Sequence, residues 1–248
     1  LVDCGLYQER KFRERNWAPF AVDPGSIDAV LLTHAHLDHC GLLPKLVREG
    51  FSGPIYCTPA TAAITRIVLL DSARIQEEDA EYKRRRHEKE GRKGPHPEEP
   101  LYTEEDAERT LPLLRSVGYD APVPITEGVS ASFFEAGHIL GSSMIRLEIQ
   151  GGSAGRGSGG RSAGERRSIV FSGDIGQWDK PIIEDPTVFT ESDYVVMEST
   201  YGDRTHEDPG KVEDLLAEAV NATHRAGGNL LIPSFALERT QEGLYHLN

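Results

Sequence analysis

The sequence predicts an α/β protein: an αββα sandwich followed by the start of a parallel α/β unit. Three observations predict it. The apolar run Ala29-Val30-Leu31-Leu32 ends in a tight polar loop and is followed by helix-like sequence, as a buried strand should be. Strand-like segments then dominate residues 123–171. From Tyr194 the pattern changes to β-α-β-α, which calls for parallel strands.

Taken in order, Leu1-Val2 reads as the tail of a strand already under way, and Asp28 to Thr33 as a second strand. Ile55-Tyr56-Cys57 is a short strand between Gly53-Pro54 and Thr58-Pro59. Thr58 is placed to cap a helix whose first residue is Pro59 and which runs toward Ile75. Polar sequence from Gln76 to Pro100 reads as a charged, mobile excursion, broken by Pro95-His96-Pro97. Its cations, Lys83-Arg84-Arg85-Arg86 and Arg92-Lys93, could form a nucleic-acid arm. The acids Glu77, Glu78, Asp79 and Glu81 close by favour a solvated helix and loop.

Thr103-Glu104-Glu105-Asp106 resembles a capping box opening a helix to Leu114. Strands follow at Val123–Ile125, Val129–Phe134, Ser143–Gln150 and Ser168–Phe171. The last two are joined by the Gly/Ser/Arg-rich stretch 151–164, read as a flexible hairpin insertion. The final run is a strand at Tyr194–Met197, a helix at Pro209–Arg225, a strand at Leu230–Ile232 and a helix from Glu238. A boundary near Asp203 divides residues 1–203 from 204–248. The chain starts without Met, inside a motif, and its last helix carries no stop signal. The expectation is a fragment, lacking N-terminal strands and truncated in its second unit.

With 38% hydrophobic residues the composition is that of a globular protein. No apolar run approaches the ~20 residues that a membrane helix needs. Cys4, Cys40 and Cys57 are widely spaced, with no CxxC, which argues against a disulfide framework or thiolate metal site and for a reducing, cytoplasmic setting. A homodimer is compatible with the sequence. The net charge of −13 opposes phosphate binding unless active-site cations or a basic wall elsewhere offset it.

The chemistry concentrates in Thr33-His34-Ala35-His36-Leu37-Asp38-His39. Imidazole and carboxylate are ligands that Zn²⁺ takes, and a short loop on a strand end can aim them at one point. Four ligands are too many for one ion that must also bind water. They suggest two ions, His34 and His36 serving one, Asp38 and His39 the other.

HxHxDH after a strand resembles the metallo-β-lactamase-fold hydrolases. Leu1-Val2-Asp3-Cys4-Gly5, Ala136-Gly137-His138 and Phe171-Ser172-Gly173-Asp174 look like the family's first, third and fourth motifs. Met197-Glu198-Ser199-Thr200-Tyr201-Gly202 and Pro233-Ser234-Phe235-Ala236-Leu237-Glu238-Arg239-Thr240-Gln241-Glu242 resemble the β-CASP branch of RNA-processing nucleases. The resemblance implies two zinc ions with a hydroxide between them as nucleophile, and RNA as substrate. His138 joins His34 and His36 at the first ion, Asp174 bridges both, and Asp38 and His39 hold the second, whose remaining histidine is not assignable here. Asp3 orients the ligands. Asp38 and Glu198 join the catalytic set, Glu198 by supporting a general-acid histidine that is likewise unassigned. His206, Ser234 and Arg239 are weaker candidates for substrate contact. His87, His96, His224 and His246 read as surface residues. Two other readings stand beside this one: a hydrolase of a small ester, thioester or lactam, and a non-catalytic scaffold subunit related to the nucleases. The fold also admits a redox di-iron variant.

Overall fold

The computed structural model describes residues 1–93, 98–151, 166–205 and 212–247. Among these, two sheets face each other. The first holds β1 (Val30–Leu31), β2 (Ile55–Cys57) and β3 (Leu114–Ser116), all parallel in the order β1-β2-β3. Val2 extends it by a parallel bridge to Leu31. The second holds β4 (Val123–Thr126), β5 (Val129–Glu135), β6 (Ser143–Gln150), β7 (Arg166–Phe171) and β8 (Tyr194–Val196) in sequence order. Its pairings are antiparallel except the last, β7 with β8, which is parallel.

Leu31, Ala131, Phe133 and Ile145 fill the space between the sheets. On the other side of the first sheet, Val30, Leu32, Ile55 and Cys57 pack with Leu43, Leu46, Leu69 and Tyr102. These come from α2 (Leu43–Arg48), α3 (Pro59–Glu90) and the approach to α4 (Glu104–Thr110). The alternation of apolar with polar residues along much of β5 and β6 puts one face inward, so the two sheets pack over an apolar layer. All three cysteines are buried and unbridged. No helix among the described residues is long and apolar enough to cross a membrane.

Several expectations are corrected. The excursion from Gln76 is helix as far as Glu90, within the 32-residue α3. Glu, Lys, Arg, Gln and Ala are strong helix formers, and the i,i+4 pairs Lys83–Asp79, Arg85–Glu81 and Arg86–Glu90 brace the exposed turns. Thr58 caps the start by accepting the Thr61 amide, and Gly91 ends the helix in the left-handed conformation. The helix expected to reach Leu114 ends at Thr110, and Leu114 instead opens strand β3. Leu230–Ile232 forms no strand: it has no ladder partner among the described residues, and Leu231 is 88% exposed. The capping box at Thr103 is present, with Asp106 completing it. Helices α5 (Val212–Ala226) and α6 (Arg239–Leu247) match the expected positions. The Gly/Ser/Arg-rich insertion beyond Gly151, Pro95-His96-Pro97 and His206 lie outside the described residues.

Candidate metal centre

The centre forms where strand ends from both sheets meet. β1 leads into the Thr33–His36 loop and then α1 (Leu37–Cys40), a single turn whose first residues follow His36. Across the sandwich, Ser143 donates from its backbone nitrogen (2.8 Å) and its hydroxyl (3.0 Å) to the Thr33 carbonyl, joining the two sheets beside the ligand loop. The loop after β5 carries His138, and the loop after β7 carries Asp174. Gly176 lets these two loops touch: its amide donates to the Ala136 carbonyl at 2.8 Å, and a Cβ there would collide with the Gly137 carbonyl.

His34 Nε2 lies 3.0 Å from His36 Nδ1, which lies 3.1 Å from His138 Nε2. Asp174 Oδ2 is 3.7 Å from His34 Nε2 and 3.5 Å from His138 Nε2. The four ligand atoms fall within 4.8 Å of one another. A tetrahedron with arms of about 2.0–2.1 Å has edges of roughly 3.3–3.4 Å, so three nitrogens and one oxygen at these spacings fit a single zinc-sized cation. His39 Nε2 sits on the far side of the same carboxylate, 3.2 Å from Asp174 Oδ1. Asp38 is exposed on the wall of the cleft.

A second layer sets the ring tautomers. Asp3, in the left-handed region at φ 52°, accepts the Thr33 amide on Oδ1 and the Thr33 hydroxyl on Oδ2, both at 2.8 Å. His39 Nδ1 lies 2.7 Å from Asp3 Oδ2 and can only donate to it, so Nε2 is the nitrogen that offers a lone pair once its proton is displaced. Because the Thr33 hydroxyl proton is spent on Asp3, its oxygen accepts from His34 Nδ1 at 3.0 Å, and His34 Nε2 too is left as a lone pair. Ser142 holds the backbone of the third histidine's loop, its hydroxyl accepting the amides of His138 (3.0 Å) and Ile139 (3.2 Å).

The protonation states follow. Burial, then the neighbouring His39, His36 and His138, holds His34 well below the ordinary histidine range. Burial and His138 lower His36 as well. Both rings are therefore neutral and ready to donate lone pairs. Burial also opposes charge on His39, but its hydrogen bonds to Asp174 and Asp3 outweigh it and push the ring up to about 10. The Asp174 carboxylate moves the other way: burial raises it, and His39 and its neighbours bring it net below its usual value.

The cluster opens into a cleft of about 1670 Å³. His36, Asp38, His138, Asp174, Glu198 and Arg239 all line it. Glu198 accepts the Ile175 amide on Oε1 (2.7 Å) and the Thr200 hydroxyl on Oε2 (2.9 Å), so it also steadies the Asp174 loop. Ser234 is exposed and is not among the lining residues. His87 and His246 are half-buried rather than free on the surface. His87 Nδ1 lies 2.5 Å from Glu98 Oε1 and His246 Nδ1 3.0 Å from Glu213 Oε1. Sequence reading assigned no role to Thr33 or Ser142. Thr33 stands beside the ligand run, so a hydroxyl next to the first histidine was the available signal.

A family model described as the Metallo-beta-lactamase superfamily matches residues 1–221. The chain is 38% identical over 247 residues to "Ribonuclease TTHA0252" of Thermus thermophilus, covering 100% of this chain and 48% of that protein. It is 32% identical over 251 residues to "Transcription termination factor FttA" of Methanosarcina mazei, covering 98% and 34% respectively. With "RNase J-like protein" of Methanocaldococcus jannaschii it shares 30% identity over 251 residues, covering 100% and 48%. The chain thus spans between a third and a half of the length of these relatives.

Proposed function

The chain belongs to the metallo-beta-lactamase superfamily, and from that premise we propose that it hydrolyses RNA phosphodiester bonds with two zinc ions. The observation that carries the proposal is the convergence of His34 Nε2, His36 Nδ1, His138 Nε2 and Asp174 Oδ2 in an open cleft. Three neutral imidazoles and one carboxylate suit a borderline cation, and no thiolate is at hand to select a softer one. When bound, zinc would supply Lewis acidity toward the phosphoryl oxygen and an activated water.

In this reading His34, His36, His138 and Asp174 hold the first ion. His39, Asp38 and the other oxygen of Asp174 contribute to the second. Asp3 and Thr33 keep two imidazoles in the tautomer that presents Nε2 to an ion. Glu198 fixes the Asp174 loop and, from the cleft wall, supports a proton donor to the leaving oxygen. Arg239 is placed to meet phosphate. RNA as substrate is supported by relatives named as ribonucleases and by the ESTYG and PSFALERTQE strings. A second unit beginning near Asp203 and a reducing, cytoplasmic setting belong to the same proposal; the three buried free thiols support the latter. The test is hydrolysis of a labelled RNA by the zinc-loaded protein, before and after chelation. Loss on chelation and return with zinc support the reading; cleavage that survives full metal removal refutes it.

A further inference from the structure

We propose that the loop 7–17 is a docking surface for unpaired nucleotides of an RNA, with Trp17 and Tyr7 as stacking faces and Arg13 as a phosphate contact. The proposal rests on the ribonuclease reading of the site and adds where the substrate is gripped. Tyr7, Arg13 and Trp17 line the same cleft as the His/Asp cluster. The chain as a whole carries 40 acidic against 27 basic residues, yet this stretch holds Arg10, Lys11, Arg13 and Arg15 against only Glu9 and Glu14. The local charge is therefore opposite to the global one, and of these cations Arg13 lies on the wall of the cleft that a polyanion would enter.

Tyr7 and Trp17 are 42% and 37% exposed, and Arg15 lies 5.6 Å from the Tyr7 ring centroid. Arg15 lies 4.6 Å above the Phe12 ring, so cation and π surface are already interleaved in the loop. Arg13 makes no ion pair among the described residues; its Nε donates to the Gln8 carbonyl at 3.1 Å, which aims the guanidinium without neutralising it.

The loop is also built to hold its shape. Asn16 is buried, accepting the Tyr7 amide at 2.8 Å and donating to the Tyr7 carbonyl at 3.0 Å, which pins the two ends together. The buried Lys45 ammonium donates to the carbonyls of Asn16 (2.9 Å) and Ala18 (2.5 Å). Sinking a lysine to fix a surface loop makes sense if that loop's geometry matters. Its base is tied to the ligand-bearing turn, since Cys4 donates to the His39 carbonyl and Leu6 to that of Leu37. A fixed aromatic platform beside a cation accepts the π-face of any unpaired base, whereas a duplex keeps those faces hidden.

The test uses the zinc-loaded protein, an oligouridine and an RNA hairpin of equal length. Trp17 and Trp178 are the chain's two tryptophans, so a Trp178→Phe background makes Trp17 the sole indole reporter. Oligouridine should quench Trp17 fluorescence, and the hairpin should do so less. Trp17→Ala should raise KM for oligouridine cleavage about tenfold, with Trp17→Phe recovering most of it. The penalty should be smaller for bis(p-nitrophenyl) phosphate, which has no flanking nucleotides for the loop to hold. Arg13→Gln should lower the slope of log affinity against log salt by about one. RNA cleavage with KM and salt slope unchanged in both variants and no quench would overturn the docking surface while leaving the ribonuclease reading intact. Failure of the zinc-loaded protein to bind or cleave RNA at all would overturn both.

Discussion

Replacing Thr33 with valine keeps the shape of the side chain and removes only its hydroxyl. That hydroxyl donates to Asp3 Oδ2 at 2.8 Å and accepts from His34 Nδ1 at 3.0 Å. His34 is fully buried, so its N–H would be left without an acceptor, at a cost of about 1–3 kcal/mol. The Thr33 amide still reaches Asp3 Oδ1, so the strand end itself should persist. The imidazole can escape the penalty by moving its proton to Nε2, but it then loses the lone pair meant for the metal. Either way zinc affinity should fall by roughly 10–100-fold, the usual effect of losing a group that orients a ligand. Competition with a chelator gives the affinity, and denaturant unfolding of the metal-free protein gives the stability. Thr33→Ser should restore most of both. If Thr33→Val binds zinc as tightly as the parent, the hydroxyl does not set the His34 tautomer and this account of the second layer fails.

Other expectations follow from the same geometry. His36→Ala should remove the first ion and abolish hydrolysis without unfolding the protein, because the half-exposed ring supports little of the core; wild-type zinc content by elemental analysis would refute the assignment. Glu198→Gln keeps an acceptor for the Ile175 amide, so metal content should hold while cleavage slows by roughly 10²–10⁴-fold; loss of zinc together with activity would make Glu198 a ligand. His39 is raised to about 10 in the metal-free protein, so its ion pairs with Asp3 and Asp174 contribute stability that is complete below the ordinary histidine pKa and disappears as pH rises through about 10. At neutral pH an ion that takes His39 must therefore displace about one proton, while an ion on His34 and His36, both already neutral, displaces none from those rings. Calorimetry in buffers of different ionisation enthalpy reads this directly, and equal proton release for both ions would contradict it.

The convergence of four donor residues was legible in the sequence because each lies in a short loop at a strand end, with Gly137 and Gly173 beside His138 and Asp174. His34, His36, His138 and Asp174 needed only the sheet to close for their donor atoms to meet. The β-hairpins were legible for a similar reason: alternation in β5 and β6 reports a two-sided sheet within a few residues. Tertiary context decided the rest. The extension of α3 past Ile75 is braced by ion pairs between neighbouring turns and ended by Gly91, whereas composition suggested only a mobile excursion of solvated helix and loop. Leu230–Ile232 has the residues of a strand, but a strand exists only through its neighbour, and the described residues supply none. Thr33 and Ser142 act through hydroxyls whose partners lie on other loops, and a single sequence does not reveal such pairings. Nothing in the sequence around Lys45 signals its burial under the loop 7–17, which comes only from the packed fold.

The central claim is that the His/Asp cluster is a hydrolytic zinc centre. It is tested most directly by measuring RNA hydrolysis as a function of bound zinc in the parent protein and in His138→Ala. Four donor atoms converge on the first position, whereas the second rests on His39, the shared Asp174 and the exposed Asp38. One zinc should therefore bind tightly and a second more weakly, with hydrolysis rising as the sites fill. His138→Ala should lose the tight zinc and the hydrolysis together. Hydrolysis that is independent of zinc occupancy, or that survives unchanged in His138→Ala, would contradict the account.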